Sequence, residues 1–164
     1  MFGPPGIAYV YLVYGMYECL NVVTEPEGRP GALLIRAVEP LAGAERMRRA
    51  RLARTAARYA GRTEQSQADS RSRVARMPDV ALASGPGLVC VAFSIGRDHG
   101  ELDLCDPQSP LRLEGALPDE PSPRVSSGPR VGIGYAGEPW RSRPWRFWAE
   151  GNRAVSASGR AGSQ

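Results

Sequence analysis

The sequence contains no lysine, since all 21 basic residues among its 164 are arginines. Without a side-chain amine, covalent catalysis through a lysine Schiff base is excluded. Histidine is nearly absent, with His99 alone, and the three cysteines are widely spaced with no CxxC pair. We therefore expect no structural zinc site, and no other metal or cofactor. The odd number of cysteines favours a reducing, cytoplasmic location over secretion.

Long apolar runs are also scarce. The stretch "AYVYLVYGMYECLN", residues 8–21, is the nearest to one, but it has no basic flank and contains Glu18 and four tyrosines. These features exclude a signal peptide and a membrane anchor, so no membrane partner is expected.

Charge is unevenly distributed along the chain. Residues 43–76 carry ten arginines and three acidic residues, whereas residues 77–123 carry two arginines and eight acidic residues. With a net charge of +4 and an isoelectric point near 9.3, this pattern favours a positive face and a polyanionic partner. Many arginine-rich helices are simply solvated surface, so the charge alone does not decide the function.

The hydrophobic pattern predicts an α+β fold in a single domain. Alternation of tyrosine with aliphatic residues predicts a strand over 8–13, "YG" at 14–15 a tight tip, and "MYECLNVVT" a returning strand. "ALLIRAVEP" predicts a third strand, and helices are expected over about 42–60 and 64–77. A short apolar helix is expected after Ser84 as its N-cap. The remaining predictions are short strands in "ELDL", "SPLRLEG" and "PWRFWAEG", a loop in "LPDEPSPRVSSGP" and a disordered tail over 153–164.

"GIGYAG" at 132–137 matches the GxGxxG pattern of dinucleotide-binding sites. The match has the wrong context, because "EPWRSRP" follows it instead of a helix and fewer than 30 residues remain. A Rossmann site is therefore not expected.

The tyrosine-rich hairpin has two interpretations from its pattern. It is either an aromatic face packed on the core or a surface that handles nucleobases, with one ring inserted between bases and another stacked on a base. Arg36 likewise either pairs with a carboxylate such as Glu39 or is functional, because a charge in an apolar strand is otherwise costly.

Several ordered blocks resemble the alkyladenine (3-methyladenine) DNA glycosylase family. They are "MFGPPGIAYVYLVYGMYECLNVV", "LLIRAVEPLAG", "LASGPGLVCVAFSI", "ELDL", "RVGIGYAGEPW" and "RPWRFWAEGN", and they span Met1 to about Asn152. The resemblance implies a glycosylase domain over 1–152, with a curved antiparallel sheet flanked by helices. A β-hairpin of residues about 8–24 would protrude from it and insert into the DNA minor groove.

The resemblance also implies a monofunctional base-excision enzyme that flips a damaged purine out of duplex DNA and hydrolyses its N-glycosidic bond. Tyr14 matches the residue that fills the vacated space, and Met16 and Tyr17 adjoin it as DNA contacts. Tyr11 matches a ring that stacks on the flipped base. Asn21 matches an asparagine that disfavours guanine. Arg36 and the backbone carbonyl of Val131 match the groups that hold the attacking water.

The family's general-base glutamate has no match among the 164 residues. Glu18, Glu25, Glu27 and Glu39 do not correspond to it, and Leu88 stands where the family usually has lysine. The resemblance therefore implies a chain that begins inside the fold, through a mis-chosen start codon, a partial gene or a true truncation. The expected partner is duplex DNA containing damaged purines, bound by a monomer. A non-catalytic nucleic-acid-binding module and a non-functional fragment are the alternatives.

Overall fold

The computed structural model describes residues 1–115 and 122–155. The chain divides into two compact units, Met1–Glu114 and Gly115–Gln164, and each is described here by itself. Three α-helices and two small antiparallel sheets occur in the described ranges, which confirms the α+β class.

The tyrosine-rich segment of the first unit forms the predicted hairpin. Its strands are β1 (Ala8–Val13) and β2 (Tyr17–Val23), and β3 (Ala32–Leu34) pairs with the other edge of β2. The sheet is antiparallel in the order β1-β2-β3, with Tyr11 opposite Cys19. The hairpin register is continuous along both strands, so side chains at opposed positions share a face, and Cys19 to Val23 are all buried, so both faces of β2 are covered there.

One face of the hairpin builds the first core cluster. Ala8, Leu20 and Val22 pack there with Cys90 and Leu104. Since successive strand residues alternate between faces, Tyr9, Tyr11 and Asn21 belong to the opposite face. The aromatic residues of β1 are therefore not the side chains that form this core.

Three helices follow the sheet: α1 (Ala44–Tyr59), α2 (Glu64–Ala75) and α3 (Pro86–Phe93). Helix α3 packs on β2, and α1 packs on both α2 and α3. A second buried cluster joins α1 to α3 and to the 3-10 turn Asp79–Ala81; its buried members are Met47, Leu82, Ala83, Val89 and Ala92.

The ends of these helices correct one prediction. Thr63 caps α2 and accepts a hydrogen bond from the backbone N–H of Ser66. The N-cap of α3 is Gly85 and not Ser84, so that prediction is wrong. Gly85 adopts φ 128°, which a residue with a side chain rarely adopts, and its N–H donates to the carbonyl of Arg36.

The third strand is shorter than predicted, because it ends at Leu34 whereas the strand predicted in "ALLIRAVEP" continues to residue 40. The N–H of Ile35 still donates to the carbonyl of Leu20 at 3.0 Å, and Ala37 then forms an isolated bridge with Ser84. The chain therefore leaves β2 after Ile35 and turns to the segment before α3.

"ELDL" and "SPLRLEG" do not form the predicted strands. Only Asp103 bridges to Ile7. The carboxylates of Asp103 and Asp106 accept hydrogen bonds from backbone N–H groups two residues further along, at 2.8 Å each. Such aspartate turns compete with strand pairing, and here they prevail.

The second unit contains a two-stranded sheet of β4 (Val125–Gly128) and β5 (Arg146–Ala149). Strand β5 confirms the strand predicted in "PWRFWAEG". Strand β4 lies where a proline-rich loop is predicted, so that part of the prediction is wrong. "GIGYAG" is followed by turns and not by a helix, as expected.

The predicted disordered tail lies mostly outside the described residues, which end at Val155. Within the two described ranges, every helix is too short or too polar to cross a lipid bilayer.

Candidate nucleic-acid interface

The hairpin tip turns at Tyr14 and Gly15. Both residues have positive φ, 50° and 66°, and the N–H of Met16 donates to the carbonyl of Val13 at 3.0 Å. Two central residues with positive φ are the requirement of the tight turn that suits the twist of a hairpin. Glycine adopts this conformation freely, whereas a tyrosine does so at a cost of about 1 kcal/mol or more.

The side chains of the tip are apolar and exposed. Tyr14 is 88% exposed, Met16 is 45% exposed, and Leu12 is also exposed. An aromatic side chain held in a strained turn and directed into solvent does not stabilise the fold by packing. This geometry suits a ring that enters another molecule, such as a wedge between base pairs.

The face of the hairpin opposite the core carries a pair of tyrosines. The rings of Tyr9 and Tyr11 stack with centroids 5.4 Å apart and planes 24° from parallel. On the same face, the side-chain amide of Asn21 donates to the backbone carbonyls of Tyr9 at 3.1 Å and Cys19 at 3.3 Å. The asparagine is therefore fixed against the sheet, and the structure brings Tyr11 and Asn21 together on one face.

Arg36 lies just beyond β3 and is exposed, so it does not occupy a strand as predicted. Burial raises the pKa of the Cys19 thiol, and the positive charge of Arg36 partly opposes that increase. Because Arg36 is exposed, the argument from the cost of a buried charge does not apply to it.

Tyr17 belongs to the base of the tip and not to its exposed end. The guanidinium carbons of Arg54 and Arg58 each lie 5.6 Å from the centroid of its ring. Arg58 also donates to the Tyr17 hydroxyl, and Arg54 donates to the carbonyl of Met16. Helix α1 therefore holds the returning side of the tip through two arginines.

These arginines are functional candidates that the sequence analysis does not single out. Arg51, Arg54 and Arg58 follow one another at helical spacing, so they lie along one side of α1. Arg51 is buried, and burial lowers its pKa. The spacing is visible in the sequence, but the contact with Tyr17 depends on the packing of α1 beside the hairpin.

Val131 lies in the second unit and is exposed, in a turn that follows β4. Nearby in that unit, the rings of Trp140 and Trp145 lie 5.7 Å apart. The guanidinium of Arg143 lies over both rings, at 4.6 Å and 4.8 Å. The second unit thus adds its own exposed arginine and tryptophan surface.

No cluster of three or more metal-ligating side chains occurs in residues 1–115 and 122–155. The groups assembled on the first unit are aromatic rings, an amide and arginines. Such groups stack on bases and bind phosphates, which is the chemistry of nucleic-acid recognition.

Comparison with known proteins identifies the family. The sequence profile of the methylpurine-DNA glycosylases matches residues 1–153. The chain belongs to the methylpurine-DNA glycosylase family. Three curated relatives carry the name "Putative 3-methyladenine DNA glycosylase": those of Myxococcus xanthus, 37% identical over 156 residues, Anaeromyxobacter dehalogenans strain 2CP-C, 42% over 159, and Methanocella arvoryzae, 41% over 159.

Each of these alignments covers 95% of this chain. They cover 61%, 56% and 64% of the respective relatives, so the chain spans about three-fifths of their length. Membership of the methylpurine-DNA glycosylase family therefore rests on nearly all of the residues present. It also confirms the resemblance deduced from the sequence blocks.

Proposed function

We propose that the protein functions in base-excision repair as a DNA glycosylase for alkylated or deaminated purines, and that these 164 residues supply the recognition part of its site but not the general base. One observation carries this proposal. In this chain, which belongs to the methylpurine-DNA glycosylase family, Tyr14 lies at the hairpin tip with a strained backbone and is 88% exposed. Tyr14 enters the duplex from the minor groove and fills the space of the flipped nucleotide, with Met16 and Tyr17 beside it.

The stacked tyrosines support the recognition step. Alkylation at N3 or N7 makes a purine cationic, and a cation over an electron-rich ring gains about 0.5–2 kcal/mol. Tyr11 stacks on the flipped base, and Asn21, fixed against the sheet, crowds the exocyclic amine of guanine. A damaged base also pairs and stacks less well, so its extrusion costs less.

In the hydrolytic step a water oxygen bonds to C1′ of the sugar while the N-glycosidic bond breaks. The electron pair of that bond leaves with the purine, and the water proton passes to the family's general-base glutamate, which has no match among these 164 residues. The family resemblance assigns Arg36 the role of donating a hydrogen bond to the attacking water.

The test compares binding and excision on duplexes that contain ethenoadenine, hypoxanthine or only normal bases. We expect the 164-residue chain to bind the lesion duplexes more tightly than the undamaged one. We expect no base excision, because no glutamate in the sequence matches the general base. Equal affinity for damaged and undamaged duplexes would refute lesion recognition. Rapid excision would refute the conclusion that the chain contains no general base.

A general nucleic-acid-binding module is a second candidate, favoured by the arginines beside Tyr17. Such a module binds all duplexes alike and with strong salt dependence. The same comparison of lesion and undamaged duplexes separates the two functions.

A further inference from the structure

A positively charged pocket of about 160 Å³ lies among the three helices of the first unit, beside β2. At about 30 Å³ per water molecule, it has room for roughly five waters, enough for a phosphate group. The residues that line it, all within the described part of the chain, include four arginines and neither aspartate nor glutamate. The arginines are Arg51, Arg54, Arg58 and Arg73.

The arrangement of these arginines is unfavourable in isolation. Like charges three or four residues apart on a helix destabilise it by about 0.2–0.5 kcal/mol per pair, and α1 carries three in succession. Two of them converge on the ring of Tyr17. Attraction to the helix dipole accounts for Arg58, which lies in the last turn, but not for Arg51 or Arg54.

The bonds of the pocket arginines leave their charge intact. Arg51 donates to the carbonyl of Leu82, and Arg54 and Arg58 donate to the carbonyl of Met16 and the hydroxyl of Tyr17. All three acceptors are neutral. A phosphodiester is suited to this cluster. It carries a single negative charge, and a guanidinium group can donate two parallel hydrogen bonds to its oxygens.

We propose that Arg54 and Arg58 of α1, with Arg73 of α2, bind a backbone phosphate of the duplex that the hairpin tip enters. The identity of this polyanion rests on the proposed function. Arg54 holds the carbonyl of Met16, two residues from Tyr14, so the phosphate lies next to the inserted ring. A charge contact there positions the DNA without reading its sequence.

The test is the salt dependence of binding to a short duplex, measured by fluorescence anisotropy at several salt concentrations. Each phosphate contact contributes about 0.9 to the slope of log affinity against log salt. In the double variant Arg54→Gln/Arg58→Gln we expect the slope to fall by about 0.9, with affinity for damaged and undamaged duplexes reduced by the same factor. The single variant Arg73→Gln, at an exposed position of α2, should lower the slope by a smaller amount, because Arg54 and Arg58 still contact the phosphate.

Arg49→Gln is the matched control, since Arg49 is exposed and lies on the opposite side of α1 by helical spacing. It removes one positive charge, as Arg73→Gln does, and should leave the slope unchanged. Arg54→Lys/Arg58→Lys, which keeps both positive charges, should also retain the slope.

The inference is overturned if the glutamine variants keep the slope of the original chain, or if Arg49→Gln lowers it equally. Binding of inorganic phosphate that depends on Arg54 and Arg58, together with an unchanged salt slope for the duplex in the glutamine variants, would assign the pocket to free phosphate and likewise overturn the inference. A lowered slope in a chain without lesion preference would instead support the phosphate contact and refute the proposed repair function.

Discussion

The rings of Tyr9 and Tyr11 stack with their centroids 5.4 Å apart. Because both side chains project from the same face of β1, the ring of Tyr9 supports one side of the Tyr11 ring and limits its rotation. A ring held in this way loses less conformational freedom when a base stacks on it, so more of the stacking free energy contributes to binding.

Replacing Tyr11 with leucine should therefore weaken lesion binding selectively. Stacking of a base on an aromatic side chain contributes about 1–3 kcal/mol, which corresponds to roughly 5- to 150-fold in Kd. We expect the ratio of the affinity for an ethenoadenine duplex to that for an undamaged duplex to decrease by a factor within that range. Tyr11→Phe keeps the ring and should retain most of the ratio. An unchanged ratio for Tyr11→Leu would contradict the stacking role.

Tyr14→Asn should separate folding from DNA binding. Tyr14 is 88% exposed and adopts φ 50°, a conformation that asparagine tolerates better than tyrosine. We expect the free energy of unfolding, measured by urea denaturation, to stay the same or to rise by up to about 1 kcal/mol, because the strain at Tyr14 is relieved. Affinity for lesion DNA should fall at least about tenfold, because the ring that fills the vacated space is lost. Unchanged affinity would refute the wedge.

The hairpin could be predicted from sequence because its signals are local. Alternating tyrosines and aliphatic residues set the strands, and the glycine at position 15 marks the turn. Which face of the hairpin meets the core is not local, since it depends on α3 and on Leu104. The pattern alone therefore leaves open whether the tyrosines pack on the core.

The errors arise where tertiary contacts override local pattern. The apolar run after Leu34 continues as a strand would, but the carbonyl of Arg36 bonds to Gly85 and the chain leaves the sheet. Strand β4 could not be predicted from its proline-rich sequence, because it is stabilised by pairing with β5, about 20 residues further along the chain. The sequence shows that the segment of α1 is rich in arginine. It does not show that these arginines converge on Tyr17, because that depends on how α1 packs beside the hairpin.

Arg48 should contribute strongly to stability although its sequence context is that of a surface arginine. It donates to the carbonyls of Val74, Ala75 and Met77 at 2.8–3.1 Å and pairs with Asp79 at 2.5 Å. Hydrogen bonds to charged groups contribute about 1.5–3 kcal/mol each, and several act together here at the C-terminal end of α2.

We expect Arg48→Met to lower the free energy of unfolding by about 2–3 kcal/mol in urea denaturation. Methionine retains much of the aliphatic stem, so the loss reports the bonds and not the packing. Arg49→Met, at an exposed neighbouring position, should cost less than about 0.5 kcal/mol. Equal effects of the two substitutions would contradict the role assigned to Arg48.

Stability should decline at alkaline pH because of the buried thiol of Cys90. Burial raises the pKa of Cys90 from its ordinary value of 9.0 to about 11. Below pH 9 the thiol is protonated in both the folded and the unfolded chain, so burying it costs no ionisation free energy and the fold has its full stability. As the pH rises from about 9 to 11, the unfolded chain ionises first and a contribution of about 2–3 kcal/mol is lost. The pKa of the Cys19 thiol is raised too, which acts in the same direction.

Urea denaturation at pH 8 and pH 10.5 measures this alkaline decline in stability. Cys90→Ala should lower stability at both pH values but show a smaller decline, and an identical decline in the two proteins would contradict the assignment.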